Sequence, residues 1–194
     1  MRYIIISLLF ASVFTFSCGG ASSEDAENAR SLVTGKYNRF GFDIFAEEAA
    51  RAGGDNVFIS PVSISFALAM TAGGADAGTM DEMYKALRLS GIGEETVRLG
   101  SSRLYGDLTT EQKKITLTVA NSIWLKEGIR FKQDFIDYTE KYFFAECYPI
   151  STPEAINSWV RNNTGEKIEK IVDSISPDDI AFLINAVYFK GVWQ

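Results

Sequence analysis

Four polar side chains interrupt segments of this 194-residue chain that otherwise look buried. Ser60 and Ser63 lie at the start of an apolar stretch, and Asn121 and Asn185 each interrupt an alternating apolar pattern. A buried hydroxyl or amide that is left unpaired costs about 1–3 kcal/mol. Taken singly, each group has a local solution: Ser60 as a helix cap, Ser63 bonding within its helix, and each asparagine at a bulge. Taken together, they predict a hydrogen-bonded seam under a sheet, which must be remade if the sheet opens.

The residue types exclude the common forms of catalysis. The chain has no histidine, which removes Ser-His-Asp and Cys-His mechanisms and the commonest metal ligand. Two cysteines, Cys18 and Cys147, cannot build a closed zinc site. A Ser-Lys dyad remains conceivable, but Ser60 and Ser63 lie in segments predicted to be core. We expect neither an enzyme nor a bound cofactor or metal.

The charge of the chain bears on its partners. The net charge is −6, whereas phosphate binding needs clustered Lys and Arg. We therefore expect no nucleic-acid partner. The segment 91–93 is too short for a dinucleotide-binding loop, and no predicted strand precedes it.

The first eighteen residues are typical of a signal peptide. One positive charge at Arg2 precedes an apolar or small run, residues 3–16, and a small-residue boundary around Cys18. This run is shorter than the roughly twenty residues that a membrane-spanning helix needs. Cys18 between small residues is similar to a bacterial lipoprotein cleavage site, at which the cysteine is lipidated. Ordinary secretion and a retained anchor are the alternatives.

The region after the leader predicts a tether followed by a domain. Residues 19–28 are small, polar and acidic, and they predict a flexible tether to a domain that spans residues 29–194. If Cys18 is lipidated, Cys147 is the only free thiol of the mature chain, and we expect it to be a small buried hydrophobe. A Cys18–Cys147 disulfide is the other possibility on paper.

The elements that position the four polar side chains are predicted from hydrophobic periodicity. Ser60 is the predicted N-cap of a helix that begins at Pro61, and Thr79 with Glu82 forms the predicted capping box of the next helix. Strands scattered among helices, without regular strand–helix crossovers, favour an α+β fold. The predicted helices are 29–52, 61–72, 79–89, 94–108, 131–142 and 153–160, and the predicted strands are 57–59, 115–125, 146–150 and 181–189.

Six blocks of residues carry a resemblance to a known family across residues 29–194. They are NVFISPVS at 56–63, GA, GT and EM at 74–75, 78–79 and 82–83, ANSIW at 120–124, INSWV at 156–160, TGEKI at 164–168 and NAVYFKGVW at 185–193. In this order they closely resemble the serpins, the family of serine and cysteine protease inhibitors. No single block is specific, but the ordered set is.

The resemblance implies a fold and an inhibitory mechanism. The helix that begins at Pro61 would underlie the centre of a large β-sheet, in the region called the shutter, to which Ser60, Ser63 and Asn185 would belong. Trp193 would lie at the breach, where the sheet first opens. A target serine or cysteine protease would cut an exposed reactive loop, which would then insert into this sheet as a new strand.

The resemblance covers about half of a serpin, and the reactive loop with its reactive bond belongs to the other half. We therefore expect these residues to form an incomplete domain that is inactive alone. Strand 181–189 would have an unpaired edge, which is prone to aggregation. The alternatives to an inhibitor are a non-inhibitory serpin-like binding protein and the product of a truncated gene. The leader predicts a secreted, cell-surface or periplasmic protein, lipid-anchored if Cys18 is modified.

Overall fold

The computed structural model describes residues 22–111 and 114–192. Helices and one sheet share this part of the chain, which confirms the α+β class predicted from the sequence. The elements in chain order are α1 (Ser23–Ala52), α2 (Pro61–Ala72), α3 (Ala77–Ala86), α4 (Glu94–Thr109), β1 (Ile115–Leu125), α5 (Gln133–Phe143), β2 (Ala145–Pro149), α6 (Pro153–Asn163) and β3 (Ala181–Gly191).

The sheet has three strands in the order β2-β1-β3. β1 pairs in parallel with β2 and antiparallel with β3, and the second pairing runs the full length of both strands, from Ile115 opposite Gly191 to Leu125 opposite Ala181. β1 is therefore the central strand of the described sheet. The outer edge of β3 pairs with no other strand among the described residues.

Helices cover both faces of the sheet. One face packs against α2, α4 and α5, with α1 packed on α2 and α4 to complete a large apolar core, and the other face packs against α6. Removing these side chains from water is the main favourable contribution to folding. The first core includes Phe66, Met70, Ile123 and Phe143, and the second includes Trp124, Ile156, Trp159 and Ile184. Within the described residues, no helix combines the length and the apolar composition needed to cross a membrane.

The first helix begins earlier than the sequence predicted. The Ser22 hydroxyl accepts a hydrogen bond from the Asp25 backbone N–H at 3.1 Å, and the Asp25 carboxylate accepts one from the Ser22 N–H at 3.1 Å. This capping box starts α1 at Ser23. The prediction of a flexible tether is therefore wrong for residues 23–28, which are helical. The predicted signal peptide, residues 1–18, lies outside the described residues.

The short strand predicted at residues 57–59 does not form. A strand needs a neighbour to satisfy its backbone groups, and no described strand pairs with this segment. The Phe58 side chain is 98% exposed, which leaves an apolar ring in solvent.

The capping box predicted at Thr79 and Glu82 is also wrong. α3 begins at Ala77, because the Asp76 carboxylate accepts a hydrogen bond from the Thr79 N–H at 2.9 Å.

Candidate functional site

A line of hydrogen bonds joins α2, β3, β1 and α5 beneath the sheet. The Ser63 hydroxyl donates to the Asn185 side-chain oxygen. The Asn185 amide donates to Asn121 Oδ1 at 2.7 Å, and the Asn121 amide donates to the Phe143 carbonyl oxygen at 2.6 Å. We call Ser63, Asn185 and Asn121 the polar relay. It joins three of the four polar residues from which the sequence predicted a seam under the sheet.

Strand register brings the two asparagines together. Asn121 lies directly opposite Asn185 in the antiparallel β1–β3 pair, so both side chains project from the same face of the sheet. α2 crosses under that face and places Ser63 beneath β3. Asn121 is only 1% exposed, whereas Ser63 and Asn185 are half-buried. The most deeply buried member therefore depends fully on its protein partners.

The last acceptor of the relay comes from the end of α5. Phe144 adopts a left-handed conformation with φ 54°, which ends the helix there. The last carbonyl groups of a helix have no partner within it, and the Phe143 carbonyl finds one in Asn121. No sequence signal indicated this contact, because it depends on where a backbone carbonyl points.

Ser60 does not join the relay. It occupies the N-cap position of α2, before Pro61, but its hydroxyl makes no capping bond. No side-chain hydrogen bond of Ser60 is found among the described residues, and the prediction of a capping hydroxyl is wrong. Ser65, in contrast, bonds back to the Pro61 carbonyl at 2.9 Å, which is a local solution within the helix.

Because Ser63 belongs to the relay and Ser60 does not, substituting each serine in turn tests the relay. Ser63→Ala leaves the Asn185 oxygen without its donor, so we expect the free energy of unfolding to fall by about 1–2 kcal/mol. Ser60→Ala breaks no hydrogen bond of the described structure and should cost about 0.5 kcal/mol or less. Urea denaturation of both variants measures the difference. Equal losses from the two substitutions would contradict the relay.

The relay is built from neutral groups and cannot do acid–base chemistry. Its members are one hydroxyl and two amides, which do not ionise near neutral pH. Among residues 22–111 and 114–192, no group of three or more Cys, Asp or Glu side chains is placed to hold a metal ion. The relay instead ties β3 to β1 and α2, so any movement of β3 must break these hydrogen bonds.

The opposite face of β3 lies under α6. Trp159 of α6 packs in the same apolar cluster as Ile184 and Ala186 of β3. Asn157 fixes α6 to the segment after it by accepting from the Ile171 and Val172 N–H groups at 2.9 and 3.0 Å. Any displacement of β3 must therefore be accommodated by α6 as well.

Two other predicted residues lie outside the described residues: Cys18, predicted to be lipidated, and Trp193, assigned to the breach. Cys147 lies half-buried on β2. Burial raises the pKa of its thiol to about 11, and the nearby Glu140 carboxylate adds to that rise. The thiol is therefore protonated and a poor nucleophile at neutral pH.

Comparison with known proteins gives the same family as the sequence blocks. Residues 35–194 match the family model described as Serpin (serine protease inhibitor). A leukocyte elastase inhibitor of Bos taurus is 34% identical over 165 residues, which are 80% of this chain and 43% of that protein. An uncharacterised serpin-like protein of Methanosarcina acetivorans is 30% identical over 173 residues, 84% of this chain and 41% of that protein. The chain thus spans about two fifths of the length of these relatives.

Solved structures agree with the sequence matches. Cleaved kallistatin complexed with heparin superposes with a TM-score of 0.78 at 26% identity, over 82% of this chain and 49% of that chain. The thermophilic serpin tengpin in its latent state superposes with a TM-score of 0.68 at 38% identity, over 72% of this chain and 39% of that chain.

Proposed function

This chain belongs to the serpin family, and from that premise we propose that it supplies the N-terminal part of an inhibitor of serine or cysteine proteases. In this proposal a protease cleaves a reactive loop that lies outside the 194 residues. The cleaved loop then inserts beside β3 as an additional strand and carries the trapped protease with it. The target protease is set by that loop.

The outer position of β3 in the sheet formed by residues 22–111 and 114–192 is the observation that carries the proposal. An incoming strand could gain a ladder of backbone hydrogen bonds along this eleven-residue strand. Asn185 lies near the middle of β3, and its side chain bonds to Ser63 below and to Asn121 beside it. A shift of β3 would therefore remake the relay. We propose that Asn121 belongs to the shutter with Ser63, Asn185 and Ser60, and that Trp193 belongs to the breach.

An exposed apolar surface beside α1 indicates a second place where the rest of the protein could pack. Phe42 and Phe45 of α1 are 76% and 46% exposed, and with Phe58 they line an open cavity of about 540 Å³. Contiguous apolar surface of this kind marks an interaction site. We propose that the remaining part of the serpin fold covers it.

We expect the 194-residue chain alone to form no covalent complex with a protease. Its purified form is incubated with a panel of serine and cysteine proteases and run on denaturing gels. A band that survives detergent, at the summed mass of the chain and a protease, would refute the assignment of the reactive loop to another region.

The length of the native protein and its behaviour with proteases distinguish an inhibitor from the alternatives. Immunoblotting and intact mass spectrometry of the producing cells give its length. A longer species that forms detergent-stable protease complexes supports the inhibitor. A longer species that only binds, without cleavage or complex, supports a non-inhibitory serpin-like binding protein. A species of no more than these 194 residues would rule out loop insertion and favour a truncated gene.

We also propose that Cys18 is lipidated and holds the protein at a membrane surface outside the cytoplasm, where it could meet external proteases. Radiolabelled palmitate should be incorporated into the wild-type protein and not into the Cys18→Ala variant. Equal labelling of the two would refute the modification at Cys18. The Cys147→Ala variant is the matched control and should be labelled like the wild type.

A further inference from the structure

A cavity of about 640 Å³ lies where the C-terminal end of α2 meets the starts of α5 and β3. This volume is within the range of small-molecule sites, about 300–1,000 Å³. Its walls are largely apolar and include Phe131, Phe135, Tyr138 and Leu183. The Tyr138 hydroxyl donates to the Ala69 carbonyl oxygen at 2.8 Å, which fixes one wall to α2.

Cationic side chains line the same cavity. Arg98, Arg130 and Lys132 contribute three positive charges and Asp134 one negative charge, in a chain whose net charge is −6. In the part of the chain that the structure describes, Arg130 and Lys132 form no ion pair. Arg98 is already paired with Glu94 and Glu95, so the unpaired positive charge at the rim of the cavity comes from Arg130 and Lys132.

Arg98 forms part of the cavity wall. Its guanidinium pairs with Glu94 at 2.7 Å and lies over the Tyr138 ring, 5.4 Å from the ring centre. Its Nε is nevertheless buried, and no described residue accepts a hydrogen bond from it. Because a ligand in the open cavity cannot reach this buried atom, the Arg98 Nε belongs to the wall of the cavity and is not counted among the donors for a ligand.

The start of α5, with its unpaired backbone donors, lies at the rim of this cavity. Lys132 occupies the N-cap position, and an ammonium group cannot accept a hydrogen bond, so no side-chain cap forms there. The N–H groups of the first helical turn, at Gln133 and Asp134, have no partner within the helix. The partial positive charge of the helix terminus adds to that of Arg130 and Lys132.

We propose that this basic cavity, defined by Arg98, Arg130 and Lys132, binds an amphipathic organic anion, a carboxylate attached to an aliphatic chain. The carboxylate would lie at the α5 terminus between Arg130 and Lys132, and the chain would lie against Phe131, Phe135 and Leu183. An inorganic anion would leave the apolar walls unused, and a neutral hydrocarbon would leave the donors unused. The site does not depend on the proposed inhibitory function.

Equilibrium dialysis of the purified full chain with radiolabelled dodecanoate tests the proposal. We expect saturable binding of one molecule per chain that weakens as sodium chloride is raised, because exposed charges are screened. The Arg130→Gln/Lys132→Gln double variant should bind at least tenfold more weakly. The Lys85→Gln/Lys167→Gln double variant removes two exposed charges elsewhere and should bind like the wild type. Thr71→Trp, at the exposed wall of the cavity, should also weaken binding.

Several results would overturn the proposal. They are the absence of saturable binding, equal affinity of the Arg130/Lys132 double variant, and equal affinity for dodecanol, which lacks the charge. Competition by inorganic phosphate at the same concentrations as dodecanoate would show a simple anion site instead. Thermal melting of each variant checks its fold. If the double variant does not fold, the single Arg130→Gln and Lys132→Gln variants replace it, each with an expected loss of at least threefold.

Discussion

Replacing Asn121 with leucine should lower the free energy of unfolding by about 2–5 kcal/mol, the largest loss we expect from any single relay substitution. Leucine has a similar volume, so packing is largely kept. The substitution leaves two groups without a partner, the Asn185 amide and the Phe143 carbonyl oxygen. Each such group costs about 1–3 kcal/mol when buried.

Urea denaturation followed by circular dichroism measures this loss. Asn162→Leu on the exposed side of α6 is the matched control, and it should change stability by about 0.5 kcal/mol or less. The Asn185→Ala variant and the double variant complete a thermodynamic cycle, in which we expect a coupling energy of about 1 kcal/mol or more between the two asparagines. Additive losses would show that the two side chains act independently, contrary to the relay.

The second large effect is expected at Gly100, where α4 crosses α1. A methyl group at this position would lie 2.5 Å from the Ala29 carbonyl oxygen and 2.6 Å from a Val33 methyl group. Because the first of these atoms belongs to the backbone, the two helices must move apart. Gly100→Ala should therefore destabilise the protein by about 1–3 kcal/mol, even though alanine is the better helix former.

Gly106 on the same helix is the control for this prediction. No atom lies within 4 Å of a methyl group built there, so Gly106→Ala should stabilise the protein by up to about 1 kcal/mol. Thermal melting of the two variants should show shifts of opposite sign. A Gly100→Ala variant as stable as the Gly106→Ala variant would mean that the helices are not in close contact.

The fold was predicted well where periodicity and burial coincide. The alternating pattern of residues 115–125 predicted β1 with the bounds that the structure has, and the pattern that begins at Ala181 predicted β3 to within two residues of its end. Predictions were wrong where a segment depends on distant partners, since residues 57–59 have strand-like composition but no strand to pair with. The start of α1 was missed because the capping box of Ser22 and Asp25 lies in a stretch of polar composition.

The candidate site could be predicted in part. Side chains alternate between the two faces of a strand, and this alternation placed Asn121 and Asn185 on the apolar faces of their strands. The polar residues on α2 indicated a hydrogen-bonding partner beneath the sheet. Two facts that complete the relay were beyond sequence reasoning. The β1–β3 register decides that the two asparagines face each other, and the left-handed Phe144 decides that the Phe143 carbonyl is available.

The hydrogen bond between Ser63 and Asn185 joins residues 122 positions apart. At synthesis rates of about 5–20 residues per second, roughly 6–25 s separate the appearance of these two residues during translation. Helices α1 to α4 and their contacts with one another lie within residues 23–109 and can form in that interval, whereas the antiparallel β1–β3 pair must wait for the last strand. Until then the apolar surface beneath β3 is open, so this chain has a period of several seconds in which a chaperone would protect it from aggregation.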